Sequence, residues 1–167
     1  MSNWSLSNRF DPAARAVADR HYNRQKVGSP QFVPPGRCLV LYGENDAGRA
    51  FWVTSWPFAE YVRHAWPGAW VCSAFRNEGL ALSSDLIREA LAATRWRWPD
   101  HPEVHGMAMI TFVDRDKTRP KRDPGYCYLM AGFEVIGESK GGLLALGIRP
   151  DELPDPLEPA GAQLVMA

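Results

Sequence analysis

Residues 69–94 constrain the fold of this chain more than any other stretch. Ala69-Trp70-Val71-Cys72-Ser73-Ala74-Phe75 is an apolar, strand-like run, and Leu86-Ile87-Arg88-Glu89-Ala90-Leu91-Ala92-Ala93-Thr94 reads as a helix. Between them Arg76-Asn77-Glu78-Gly79-Leu80-Ala81 reads as a short loop, with Ser83, Ser84 or Asp85 capping the helix. A strand, a Gly-bearing loop and a helix start aim backbone N–H groups at one point. Such a point attracts phosphate, and Arg76 adds the side chain best matched to phosphate oxygens. Taken alone, six residues fit a plain strand-to-helix turn better. The strand before and the helix after favour the phosphate reading. Glu78 runs against it, since a carboxylate beside a phosphate site is unfavourable unless it points away.

The rest of the pattern is α+β. Asp11-Pro12 is a helix start, an acceptor followed by proline at the first helical position, and the helix should reach about His21-Tyr22. Residues 1–10 are expected to be weakly ordered, and 24–36, with Gly28, Pro30, Pro34, Pro35 and Gly36, to form an irregular loop. Residues 38–42 and 50–55 read as a hairpin across the turn 43–48, followed by a short helix around 58–64. Residues 106–113 read as a buried strand, 114–125 as a polar, basic loop, and 126–131 as a short helix stopped by Gly132. Two strands, 133–136 and 143–148, close the series. This order predicts a mostly antiparallel sheet flanked by helices. Residues 1–148 would form the domain, and 149–167 an extended, acidic, proline-rich tail.

The chain has 167 residues, one domain's worth, and 46% of them are apolar, which favours a folded core over disorder. No apolar run approaches the roughly 20 residues of a membrane span, and residues 1–10 lack a secretory pattern, so a cytoplasmic protein is expected. Cys38, Cys72 and Cys127 are scattered and odd in number, which argues against a disulfide frame or zinc knuckle. Net charge is zero, but 149–167 carries −3 and the body therefore +3, which permits an anionic partner.

A second motif is Tyr128-Leu129-Met130-Ala131-Gly132-Phe133. The pairing of R-x-x-G-x-A before a helix with Y-x-x-A-G-F before a strand resembles the GNAT acetyltransferase superfamily. The resemblance covers about residues 38–148. It implies a GNAT-like α+β domain whose sheet has splayed strands. It implies that Arg76, Asn77, Gly79, Ala81, Ser83 and Ser84 hold the pyrophosphate of acetyl-CoA, and that Tyr128 faces the thioester sulfur as a general acid. A phenol suits that task because it gives one proton and can recover it. A partly buried amphipathic aromatic is the structural alternative for Tyr128.

A narrower resemblance is to the Mom proteins of bacteriophages, which have a GNAT-like fold and modify adenine in phage DNA. It rests on Arg76-Asn77 with a nearby Ser, on Phe112-Val113-Asp114, on the Tyr128 motif and on His21-Tyr22. It implies catalytic roles for His21, Tyr22, Asp114 and Tyr128, an acetyl-CoA-type donor, a DNA adenine amine as acceptor, and a possible iron requirement. The segment between Asp114 and Tyr128 is a few residues longer here, which leaves Asp116 and Asp123 as rivals of Asp114. A carboxylate at that place suits proton abstraction from an amine, or a metal. His21 suits a base or ligand. Each residue also has a plain role: Asp114 starting a turn, His21 ending a helix.

Two further features bear on the acceptor. Residues 115–123 hold Arg115, Lys117, Arg119, Lys121 and Arg122, a basic loop able to grip a DNA backbone, or the 3′-phosphate of CoA, or only solvent. Trp56, Phe58 and Tyr61 lie in an irregular segment and are candidates to stack on an extruded base, whereas Trp52, Trp70 and Trp96 are expected in the packing. His64, His101 and His105 show no ligand spacing. Rival expectations are an ordinary GNAT acting on a small-molecule or protein amine, and an inactive GNAT-fold binding module.

Overall fold

Alternation along the central strands sets the layers. The structure, a computed structural model, describes residues 2–20, 36–117 and 125–161. In β2 (Arg37–Glu44) Leu39 and Leu41 turn to one face and Val40 to the other; in β3 (Arg49–Trp56) Ala50 and Trp52 oppose Phe51 and Val53. Both faces are covered, which is why these strands read as near-continuous apolar runs. One face receives α1 (Pro12–Ala18) through Ala14, Val17 and Ala18. The other receives α2 (Ser83–Arg97), whose Leu86, Ile87, Ala90 and Leu91 form a stripe at helical spacing. A buried chain of hydroxyls joins α2 to the sheet: Trp52 Nε1 donates to Thr54, Thr54 shares a hydrogen bond with Thr94, and Thr94 donates to the Ala90 carbonyl.

Seven strands form one sheet in the order β1-β2-β3-β4-β5-β7-β6. The others are β1 (Ser5–Leu6), β4 (Trp70–Glu78), β5 (Met109–Val113), β6 (Glu134–Glu138) and β7 (Leu144–Ile148), with α3 (Tyr126–Met130) preceding β6. All neighbours are antiparallel except β4 and β5. These two are parallel because α2 carries the chain back along the sheet between them, the crossover that parallel pairing requires. The α+β mixture and the mostly antiparallel sheet expected from the sequence are present. Asp11 caps α1 by accepting from the Ala13 N–H, ahead of Pro12, and Gly132 ends α3 with a left-handed φ of 109°. No helix among the described residues is long and apolar enough to cross a membrane.

Two expectations are corrected. The short helix near 58–64 is a single 3-10 turn, Ala59–Tyr61. The first ten residues are not loosely held: Trp4 is fully buried, its Nε1 donates to the Leu86 carbonyl at 2.8 Å, and Ser5–Leu6 pair with β2. A two-residue strand is too short to show a period, and the Leu86 carbonyl that Trp4 binds is distant in the chain. Residues 149–161 run along α2. Leu153 is buried, Leu157 N–H donates to the Ala92 carbonyl, and Ala160 bridges to Ser5. Replacing Trp4 by Ala removes a fully buried ring and its hydrogen bond to the Leu86 carbonyl. It should cost about 3–5 kcal/mol, read as a lower urea midpoint at unchanged slope; a cost under about 0.5 kcal/mol would show that the segment is dispensable.

Candidate functional site

The site grows from a fork in the sheet. β4 and β5 share three rungs, Trp70↔Met109, Val71↔Ile110 and Cys72↔Thr111, and β4 then runs on to Glu78 without β5. At the parting, β4 also carries a bulge. Its register with β3 passes from Val53↔Ala74 to Thr54↔Cys72, so Ser73 is the extra residue. A bulge bends its strand and adds twist, which turns the end of β4 away from β5. Ser73 Oγ is hydrogen-bonded to Ser55 Oγ, and Thr111 Oγ1 donates to the Cys72 carbonyl across the last rung.

Tyr128 reaches the base of this fork from α3. Its hydroxyl lies 3.4 Å from Cys72 Sγ, and its ring meets Phe75 of β4 and Phe133 edge-on. The Tyr128 side chain is buried. Burial pushes the Cys72 thiol up to about 12, so it remains protonated at neutral pH. Cys72 and Phe75 lie on the α2 face of the sheet.

Beyond the fork comes the connection to α2. The sequence reading placed Arg76, Asn77 and Glu78 in a loop; all three belong to β4, and only 79–82 is left as the connection. Gly79 takes a left-handed φ of 88°. The hairpin turn beside it touches so closely that a Cβ on Gly48 would fall 2.0 Å from the Glu78 carbonyl oxygen. Two amides hold the connection. Asn45 donates to the Leu80 carbonyl; Asn77 accepts from the Leu80 N–H and donates to the Ala81 carbonyl and to Ser83 Oγ. The expected Ser or Asp cap is not formed. Leu82 occupies the cap position, 66% exposed, and offers no side-chain acceptor to the first turn. An aliphatic cap costs a helix about 1 kcal/mol against Ser or Asp and leaves its N–H groups open.

Glu78 is accounted for by its position. Strand alternation turns Ala74, Arg76 and Glu78 toward α1, away from α2 and Asn77. Both oxygens of Glu78 accept from Arg20, just past α1, at 2.6 Å, and Oε2 also accepts from Arg76 at 2.8 Å. Those hydrogen bonds, Arg20's foremost, hold the Glu78 carboxyl well below the usual range, at about 2. Glu78 therefore points away from the N terminus of α2, and it takes Arg76 with it.

The other predicted residues are dispersed. Asp114, half-buried at the end of β5, accepts from the Asp116 N–H at 3.0 Å and so caps the 3-10 turn Arg115–Lys117. Arg115 pairs with Glu138. His21, Tyr22, Arg119, Lys121, Arg122 and Asp123, and the side chain of Lys117, lie outside the described residues. Trp56 ends β3 at the N-terminal end of β4, the end of the sheet opposite the 79–82 connection. Its ring packs on Trp70 and Trp98 beneath the Arg37 guanidinium, and its Nε1 donates to the Gly68 carbonyl. Tyr61 is 78% exposed. Among the described residues no group of three or more His, Cys, Asp or Glu is placed to hold a metal ion. No protein-family profile, curated protein or solved structure matches this chain.

Sequence reasoning passed over Cys72 and Ser73 as ordinary strand residues. Nothing local marks a bulge, and the partner of Cys72 lies on another element. Glu78 supplies a test of the clamp. Its carboxyl is depressed in the folded chain, so its contribution is complete above the ordinary value of 4.5 and fades as pH falls toward 2. Glu78→Gln should be less stable than the wild type by about 1 kcal/mol at pH 6–7, after screening at the half-exposed arginines, with the gap narrowing by pH 3. Urea denaturation at both pH values checks this; a gap constant with pH would overturn it.

Proposed function

We propose that the chain is an acyltransferase of GNAT type that takes its acyl group from a CoA thioester. The observation that carries this is the fork: a buried phenol stands where a bulged β4 parts from its parallel neighbour, and the same strand leads to an uncapped helix start. The sequence resemblance to the GNAT superfamily points the same way. The open N–H groups at Ser83 and Ser84, with the connection from Gly79 to Ala81, would hold a pyrophosphate. Asn77 shapes that connection through its amide. Arg76 adds positive charge nearby while its guanidinium is engaged by Glu78. These features fit acetyl-CoA, which when bound supplies an acyl group activated as a thioester. Tyr128 Oη then donates the proton that the departing sulfur needs, and Asp114, with His21, accepts the proton that the attacking amine gives up.

For the acceptor, we propose the exocyclic amine of adenine in DNA, as in the Mom resemblance. In support, the basic stretch that starts at Arg115 leaves the sheet at the end of β5, the end at which the fork opens. Tyr61 offers an exposed ring, while Trp56 serves packing. No step is assigned to iron.

Expression in a bacterium followed by mass spectrometry of the DNA nucleosides tests the proposal. A new adenine-derived nucleoside is expected, lost in Tyr128→Phe and Asp114→Asn. Unmodified DNA together with acetyl-CoA-dependent turnover of other amines would point to an ordinary GNAT; binding without turnover would point to a binding module. The cradle has its own test. Leu82→Asp installs the missing cap, so it should raise stability by about 1 kcal/mol and weaken acetyl-CoA binding through repulsion and loss of open N–H groups. Calorimetric titration beside urea denaturation reads both; unchanged affinity in a stabilised variant would remove the pyrophosphate from this helix.

A further inference from the structure

The proposed reaction sets a spatial demand that neither motif meets alone. The start of α2, which would hold the pyrophosphate, and Tyr128 on α3, which would face the thioester, must keep one spacing. Arg88 joins the two. It stands on the second turn of α2, half-buried, and its Nη1 donates to the Ala131 carbonyl at 2.9 Å and to the Glu152 carbonyl at 3.0 Å. One side chain thus ties α2 to the closing turn of α3 and to the 3-10 turn Pro150–Glu152 that follows β7. We propose that Arg88 is a positioning residue for Tyr128, fastening the closing turn of α3 to the helix that starts at the pyrophosphate cradle. Its catalytic meaning rests on the transferase reading; the tie itself does not.

The closing turn of α3 is what aims the Tyr128 ring. Gly132 N–H donates to the Leu129 carbonyl and Phe133 N–H to the Tyr128 carbonyl, the paired bonds of a helix closed by a left-handed glycine. Such a closure brings the residue after the glycine against the last turn. Here that contact is the edge-on meeting of the Phe133 and Tyr128 rings at 5.3 Å. The ring therefore goes where the closure goes. With five residues, α3 is too short to hold its own direction and depends on what it is fastened to. The Ala131 carbonyl lies at its C-terminal end, where a cation is favoured and a charged donor makes the stronger hydrogen bond. Arg88 makes no ion pair among the described residues; its guanidinium serves these two carbonyls. Gly132 leaves room for it. A Cβ there would lie 3.4 Å from Arg88 Nη1 and 3.4 Å from Ile148 Cδ1, so a side chain would press on the guanidinium. The glycine of the Tyr128 motif thus serves the helix stop and the arginine together. Arg95, two turns further along α2, offers a comparison within the same helix. Its Nη1 donates to the Pro154 carbonyl at 3.0 Å, the same kind of grip on the C-terminal segment, with no bond to α3 among the described residues.

The tie is tested by NMR on protein labelled with 13C in its tyrosine rings. Tyr128→Phe identifies the Tyr128 signal, whose position reports the Phe75 and Phe133 rings beside it. Arg88→Met keeps bulk and removes both donations. Arg88→Lys keeps a charged nitrogen, and Arg95→Met loosens the C-terminal segment alone. The Tyr128 signal should move or broaden in Arg88→Met, lie closer to wild type in Arg88→Lys, and stay in place in Arg95→Met. A signal unmoved in Arg88→Met, moved as far in Arg95→Met, or no closer to wild type in Arg88→Lys would overturn the inference. If Arg88→Met does not fold, Arg88→Gln, uncharged and shorter, takes its place in the same comparison. In activity the signature is a split between binding and turnover. Acetyl-CoA affinity, read by calorimetry, should stay within about twofold in Arg88→Met, while kcat for the adenine-derived product falls roughly tenfold or more. An unchanged kcat, or a loss of affinity as large as the loss of kcat, would remove the positioning role. The underlying reading is judged separately, by acetyl-CoA-dependent turnover in the wild type and its loss in Tyr128→Phe. Where the wild type shows no turnover, that reading falls and the NMR comparison alone judges the tie.

Discussion

Everything near the candidate site depends on one mismatch in hydrogen bonding: β4 and β5 pair over three rungs and no further. A parallel pair in an otherwise antiparallel sheet needs a crossover, and α2 supplies it. The bulge at Ser73 then bends β4 just where its partner is lost. The edge so opened is not left to solvent on the α2 face. Tyr128 arrives from α3 and puts its ring on Phe75 and its hydroxyl against Cys72. A break in a sheet usually exposes backbone; here a buried phenol and a buried thiol meet where the strands part.

Charge is sorted between the two faces of the sheet beyond the parting. Strand alternation after the bulge sends Arg76 and Glu78 to the α1 face and Phe75 and Asn77 to the α2 face. The ionic clamp of Glu78 with Arg20 and Arg76 therefore ties the end of α1 to the end of β4. Across the sheet, the start of α2 is left with backbone donors and without a side-chain cap. An anion there would be held by the helix terminus and the connection from Gly79, with side-chain amides shaping the loop and cations acting at a distance.

Legibility differed by kind of feature. The β2–β3 hairpin, α2 and the α3–Gly132 stop were readable because each is announced by local period and punctuation. The pairing of the Arg76 loop with the Tyr128 motif pointed to one region, and the fold does bring Tyr128 to the strand that leads into that loop. The role of Glu78 was not readable. Its partner Arg20 is distant in sequence, and which face it takes depends on where the bulge falls. The cap of α2 was misjudged for a related reason: Asn77 binds Ser83 Oγ and draws it away from capping. Trp56, a stacking candidate by composition, is packed on Trp70 and Trp98, rings brought to it by β4 and the end of α2.

By itself, the sequence determined the order of the main helices and strands, the α+β class, and the two motifs on which the acyltransferase proposal rests. Those follow from periodicity, glycine placement and side-chain chemistry, all properties of neighbours along the chain. Only the tertiary structure decided the strand order, the fork, the partner of Tyr128, the neutralisation of Glu78 and the burial of Trp4. Each of these joins residues far apart in the chain, and each turns on a register or a face that a single bulge can change.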